Sequence, residues 1–151
     1  MITETSVSSE EITIEAPVEL VWDVLVDFAN YGKWNSFCPS AEAELVLDTP
    51  IVMKTRLGGN LIDQVEYICR IEPCKAIAWR MENKPGDPVH AKRTQTLKKL
   101  DDQRCTYFTI DEFSGEAMPA MLEQFASIIE DGFNACGQGL KTYCEARRQS
   151  L

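Results

Sequence analysis

Between Ile12 and Trp34 the chain reads ITIEAPVELVWDVLVDFANYGKW, and no other stretch limits the fold as tightly. Ile12 and Ile14 alternate with Thr13 and Glu15, the period of a half-buried strand. Pro17 cannot donate to a ladder. It suits the first turn of a helix, where its fixed φ is already helical and an N–H would be unpaired anyway. Val18, Val21, Trp22, Leu25, Val26 and Phe28 then recur at helical spacing, with Glu19, Asp23 and Asp27 mostly on the other side. Asn30, Tyr31 and Gly32 end this helix, and Tyr31, Trp34 and Phe37 supply aromatic mass for a core or a pocket wall.

Around this block the pattern predicts a loose tail over residues 1–6, a strand over 7–15, a helix over 17–28 and a short helix or turn over 30–36. Strand-like segments follow at 40–48, 51–58, 62–72, 75–82, 89–100 and 104–113. Turn signals separate them: Asp48-Thr49-Pro50, Gly58-Gly59-Asn60, Glu72-Pro73, Lys84 to Pro88 and Asp101-Asp102. Consecutive strands with short connections imply an antiparallel meander. From Pro119 to Arg148 the period becomes helical, with Met121, Leu122, Phe125, Ile128, Ile129, Phe133, Cys136 and Leu140 at three- and four-residue steps. Such a helix is about 45 Å long. Gly132, Gly137 and Gly139 weaken it intrinsically, so a bend or a close approach to another segment is expected there. The class is α+β, in a single domain over residues 1–151.

Composition excludes several functions. A net charge of −9 argues against a nucleic-acid binder, which needs a clustered basic footprint. No apolar run reaches the ~20 residues that span a bilayer, and the polar, acidic start MITETSVSSEE does not read as a secretory signal. The six cysteines form no CxxC pair and no cluster with the single histidine, His90, so reduced, buried thiols and a cytoplasmic location are expected. No metal site and no cofactor are indicated: a P-loop, a GxGxxG and a GxSxG are all missing, and the carboxylates lack EF-hand spacing. Ser114 reads as a turn or helix-capping residue and His90 as a loop-edge residue.

The strand ending in Ala16-Pro17, the helix V-W-D-V-L-x-D-F, the turn N-Y-x-K-W-N and the late D-E-F-S-G at Asp111 to Gly115 resemble the START-like, or SRPBCC, superfamily. The resemblance frames nearly the whole chain. It implies a helix-grip fold: a seven-stranded antiparallel curved sheet wrapped around a long C-terminal helix, with two short helices after the first strand and a cavity between sheet and helix. The superfamily includes polyketide cyclases and aromatases, coenzyme-Q-binding proteins and lipid-transfer START domains, so it specifies fold better than function.

Alternation divides each strand into two faces. Val65, Tyr67, Cys69 and Ile71 form the more apolar set of their strand, and Ile77, Trp79 and Met81 that of the next; both sets are expected to face the long helix. Aligning the superfamily's strand on Leu97 turns Ala91, Arg93 and Gln95 inward, and with them Tyr107, Thr109, Asp111 and Phe113. That register makes the inner face polar and sends Phe108 and Ile110 outward. Arg93 and Asp111 then lie on neighbouring strands, where they either pair with each other or present a planar fork to a ligand. Many superfamily members carry histidine near the Arg93 position, and this chain departs from them.

The resemblance implies, first, a binder of a small, largely hydrophobic molecule that is lipid-, polyketide- or isoprenoid-like. Its expected lining is Trp34, Phe37, Tyr67, Trp79, Met81, Arg93, Gln95, Tyr107, Asp111, Met121, Phe125 and Ile129. The alternative is an enzyme of the polyketide cyclase/dehydrase type, with Arg93 polarising a carbonyl, Asp111 as acid/base and Tyr107 as a second donor. A third reading is a homodimeric interaction protein using an outward Phe108–Ile110 patch.

Overall fold

In the computed structural model, which describes residues 1–150, the first strand forms in two pieces, β1 (Ser6–Ser8) and β2 (Ile12–Ile14). Both run antiparallel to β8 (Arg104–Ser114), but Val7 pairs with Asp111 while Ile12 pairs with Tyr107. Ser9, Glu10 and Glu11 therefore oppose only Thr109 and Phe108, which is a β-bulge. Ser9 pins it: its N–H donates to the Thr109 carbonyl at 2.9 Å, and its Oγ accepts from the Thr109 N–H at 3.1 Å. The sheet thus has eight strands rather than the seven expected, because one strand is divided rather than because a position is added.

The remaining strands are β3 (Ser40–Glu42), β4 (Pro50–Leu57), β5 (Asn60–Glu72), β6 (Ala76–Arg80) and β7 (His90–Asp101). They form an antiparallel path β1-β8-β7-β6-β5-β4-β3, with β2 also on β8. β3 is much shorter than the predicted 40–48. Beyond Glu42 the chain turns instead, with the Thr49 hydroxyl donating to the Val46 carbonyl at 2.7 Å and Asp48 at a positive φ of 62°. β4 and β5 meet in a two-residue turn at Gly58-Gly59, where Gly58 takes a φ of 66° that suits glycine.

A second bulge decides the inner face of β5. Ile68 pairs with Trp79, but Arg70 pairs with Ala78, so Cys69 is an extra residue. Ile71 lies opposite Ile77 on the inner face, as alternation suggests. Before the bulge the parity is reversed, so Gln64, Glu66 and Ile68 point inward. Val65 is left exposed, and Tyr67 lies outside beneath the Arg80 guanidinium, 5.8 Å from its ring centroid. The expectation that Val65 and Tyr67 face the helix fails at this one inserted residue, since a one-residue slip exchanges the faces.

α1 (Val18–Leu25) is shorter than the predicted 17–28 and gives way to a 3-10 helix over Phe28–Lys33. The Tyr31 hydroxyl donates to the Leu25 carbonyl at 2.6 Å, satisfying an orphan acceptor at the end of α1. α2 (Met118–Gln149) begins after Ala117, so Ser114 ends β8 and does not cap the helix. Its buried stripe of Leu122, Ala126, Ile129, Phe133, Cys136, Leu140 and Cys144 lies in the curve of the sheet. The glycines mark close approach: a Cβ on Gly139 would overlap the Trp34 carbonyl, and one on Gly132 the Phe37 ring. No helix among the described residues is long and apolar enough to cross a membrane.

Candidate functional site

Between the N-terminal half of α2 and the concave face of β4–β8 the packing opens into a cavity of about 260 Å³. Met121, Phe125, Ile129 and Phe133 form its helical wall, one residue per turn at four-residue steps. Met53, Thr55 and Leu57 of β4, Trp79 of β6, and Met81 and Val89 from the loop between β6 and β7 line the sheet side. Ala91 of β7 and Phe113 of β8 complete that wall, and Phe37 and Cys38 close the side nearest the 3-10 helix. Against this apolar surface stand the Thr55 hydroxyl and four larger polar side chains, Gln64, Glu66, Arg93 and Asp111.

The register across the sheet explains where they sit. Arg93 pairs with Trp79 on one side and Asp111 on the other, and Gln95 with Ile77 and Thr109. Arg93 is buried, which an arginine tolerates only with partners. Its Nε donates to Thr109 Oγ1 at 3.0 Å, and its Nη2 points to Gln95 Oε1 at 3.5 Å and Cys136 Sγ at 3.8 Å. Phe133, Phe37 and Trp79 surround the guanidinium, with centroids at 4.3, 5.5 and 5.8 Å. Cation–π attraction of this kind contributes about 0.5–2 kcal/mol per ring, more where water is excluded.

The carboxyl groups are treated differently. No Arg93–Asp111 ion pair forms among the described residues, although the two are directly opposed in register. Asp111 keeps an accessible edge on the cavity, yet its Oδ1 is fully buried and has no hydrogen-bond partner. Burial, reinforced by the nearby Glu66 and opposed by Arg93, raises the Asp111 carboxyl to about 8. Glu66, which no donor reaches either, is raised by burial to about 7, with Arg93 again opposing. The cavity therefore holds two acids that titrate near neutrality and one fixed cation. Cys38 is an unreactive neighbour, since burial lifts its thiol to about 11.

Of the residues expected to line a site, Phe37, Trp79, Met81, Arg93, Asp111, Met121, Phe125 and Ile129 converge on the cavity. Four do not. Tyr67 faces outward because of the Cys69 bulge. Trp34 is buried behind α2 and borders a separate groove between α1 and the C-terminal end of that helix. Gln95 and Tyr107 lie one layer below the floor, where the Tyr107 hydroxyl donates to Gln95 Oε1 at 2.6 Å and approaches Cys136 Sγ at 3.8 Å. They support Arg93 rather than the cavity surface. Phe133, the polar pair Gln64 and Glu66, and the β4 residues Met53, Thr55 and Leu57 lie outside the expected set. Phe133 continues the helical steps of Phe125 and Ile129 and was legible by that rule; Glu66 was hidden by the bulge.

Comparison with known proteins agrees with this architecture. A family model described as polyketide cyclase / dehydrase and lipid transport matches residues 5–145. No curated protein sequence matches the chain. Among solved structures, an aromatase/cyclase from Streptomyces sp. R1128 superposes with a TM-score of 0.75 at 19% identity, covering 94% of each chain. A hypothetical protein from Helicobacter pylori gives 0.71 at 21% identity, covering 94% of this chain and 89% of its own. A START superfamily protein from Mycobacterium smegmatis gives 0.63 at 11% identity, covering 90% and 99%. At these identities the structures speak for the helix-grip fold alone. The family match spans the curved sheet, the cavity and most of α2, and the chain belongs to the polyketide cyclase/dehydrase and lipid-transport family.

Proposed function

We propose that this protein binds a small, largely apolar molecule, lipid-, polyketide- or isoprenoid-like, in the cavity between sheet and α2. The supporting observation is the cavity itself: about 260 Å³ walled by phenylalanine and methionine, with its few polar groups gathered on the sheet side. Apolar walls supply affinity, and a few placed polar groups fix orientation. Methionines at positions 53, 81 and 121 adapt the walls to more than one shape. Native mass spectrometry of freshly purified protein should show a co-purifying small molecule. Ala91→Phe, which fills the cavity from the sheet, should abolish its retention while circular dichroism stays native. Retention unchanged by Ala91→Phe would place the ligand elsewhere.

The cyclase/dehydrase reading is second, and one observation favours it: an acid raised to about 8 borders the cavity beside a guanidinium. Asp111 would then exchange a proton with a carbonyl-bearing substrate polarised by Arg93, as general acid–base catalysis requires of a group near neutrality. Tyr107 takes no direct part, because its hydroxyl is committed to Gln95. Turnover of a poly-carbonyl substrate that survives Asp111→Asn rules this role out.

A further inference from the structure

Resting on the reading of the cavity as a ligand site, we propose that its ligand carries a protonated amine on an apolar body, with the ammonium held by the carboxyl groups of Glu66 and Asp111. The geometry points there because of what the two acids lack. Both carboxyl groups line the cavity; Asp111 has no donor even to its fully buried Oδ1, and the buried Glu66 makes no hydrogen bond or ion pair with the described residues. Arg93 is the one cation near both among the described residues, and it makes no ion pair with either: its Nε serves Thr109, its Nη2 faces Gln95 and Cys136, and three rings crowd it. Buried carboxyl oxygens in want of donors are complemented by a group that brings several N–H bonds and a positive charge.

Charge counting gives the same answer. Once both acids are ionised, above about pH 8, two carboxylates face one guanidinium, and an anionic ligand would add a third negative group to a space of low polarity. An ammonium instead balances the ionised pair. Phe113 and Phe125, which border the cavity and are not engaged by Arg93, offer ring surface beside it. The remaining groups facing this space are few. β4 contributes Met53 and Thr55 and α2 contributes apolar side chains, with the Cys136 thiol below. Cys38 is the other thiol, and Glu112 follows Asp111 on β8 with its side chain exposed. None of these supplies a cation. Because the two acids are protonated near neutrality when the cavity is empty, taking up an ammonium expels proton to solvent, and affinity rises with pH across that range.

Isothermal titration of the full chain with phenethylamine, phenethyl alcohol and phenylacetate, and with their naphthyl homologues, tests this at about pH 6 and about pH 8.5. The amine is expected to bind about tenfold or more tighter than the alcohol at the higher pH, with that preference shrinking at the lower. Glu66→Gln and Asp111→Asn, both isosteric, should each cut the amine-to-alcohol affinity ratio by about tenfold. In buffers of different ionisation enthalpy, amine binding to the wild type should release protons. An alcohol or phenylacetate that binds as tightly as the amine at the higher pH overturns the proposal, as does a ratio indifferent to both substitutions. Those results leave the small-molecule reading standing. Failure of every probe of both sizes to bind the folded protein removes both.

Discussion

The two ends of the grip are built from one set of elements but solve opposite problems. At the closed end, Ile14, Leu25, Tyr31, Leu140 and Cys144 have almost no exposure, and even the Tyr31 hydroxyl is satisfied by the Leu25 carbonyl. At the open end, α2 and the sheet stand apart, and a buried Asp111 oxygen has no partner. Between them lies a layer of Arg93, Gln95, Thr109, Tyr107 and Cys136, linked by hydrogen bonds. The closed end holds the fold, with one orphan of its own in the buried Trp34 Nε1, whereas the open end sets its orphan Asp111 oxygen and the unpaired Glu66 carboxyl beside open space. A protein keeps orphan polar atoms against their cost of about 1–3 kcal/mol each where they serve something else.

The sharpest way to break that division is to remove the same kind of mass at each end. Leu140→Ala deletes a fully buried side chain where the surroundings cannot collapse, and should cost about 3–5 kcal/mol by urea unfolding. A cost below about 1.5 kcal/mol would mean that the closed end is not what holds the fold.

Next in size is an effect of the open end that runs the other way. Asp111 is raised to about 8 and Glu66 to about 7, each above its ordinary value of 3.8 or 4.5. The folded state therefore binds more protons than the unfolded state between those limits. The stability these acids contribute is complete below the unfolded values and is lost as pH rises through the folded ones. From about pH 5 to 8 the wild type should lose on the order of 1 kcal/mol per pH unit. Asp111→Asn should flatten that slope and leave the variant more stable than the wild type by about 2–3 kcal/mol at about pH 9. The surface acids with lowered values, Glu72, Asp101 and Glu145, titrate below this window and do not confuse it. Identical slopes for wild type and variant would mean that the cavity solvates its acids as water does.

These two regions also differ in how far they could be read from residues alone. The closed end follows local rules: period two in Ile12–Ile14, helical period in Val18–Leu25, proline at the junction and glycines at the tight crossings of α2. The order of strands and the inward turn of Arg93 and Asp111 came through family likeness, and the pairing places them side by side. What stayed hidden was set by bulges. One extra residue at Cys69 carries Glu66 inward and Tyr67 outward, and another between Ser8 and Ile12 divides the first strand. Neither leaves a mark in composition, because a bulge depends on which partner each backbone group finds. Trp34 illustrates a separate limit. Its size suggested a pocket, but the glycine opposite it at position 139 made room for α2 to lie directly against its backbone.

The smallest expected effect sits on the cavity rim and completes the contrast. Met121 is half-buried on the first turns of α2 and faces the open space rather than a packed neighbour layer. Met121→Ala should cost less than about 1 kcal/mol, because the side chain gives up few contacts and enlarges a space that is already there. The same substitution should still weaken retention of an apolar ligand by about fivefold, the loss of one adaptable wall residue. Stability and binding would then separate cleanly: Leu140→Ala unfolds without informing on the ligand, and Met121→Ala loosens the ligand with the fold intact. Should Met121→Ala destabilise as much as Leu140→Ala, the rim is part of the core, and the cavity is a packing gap rather than a site.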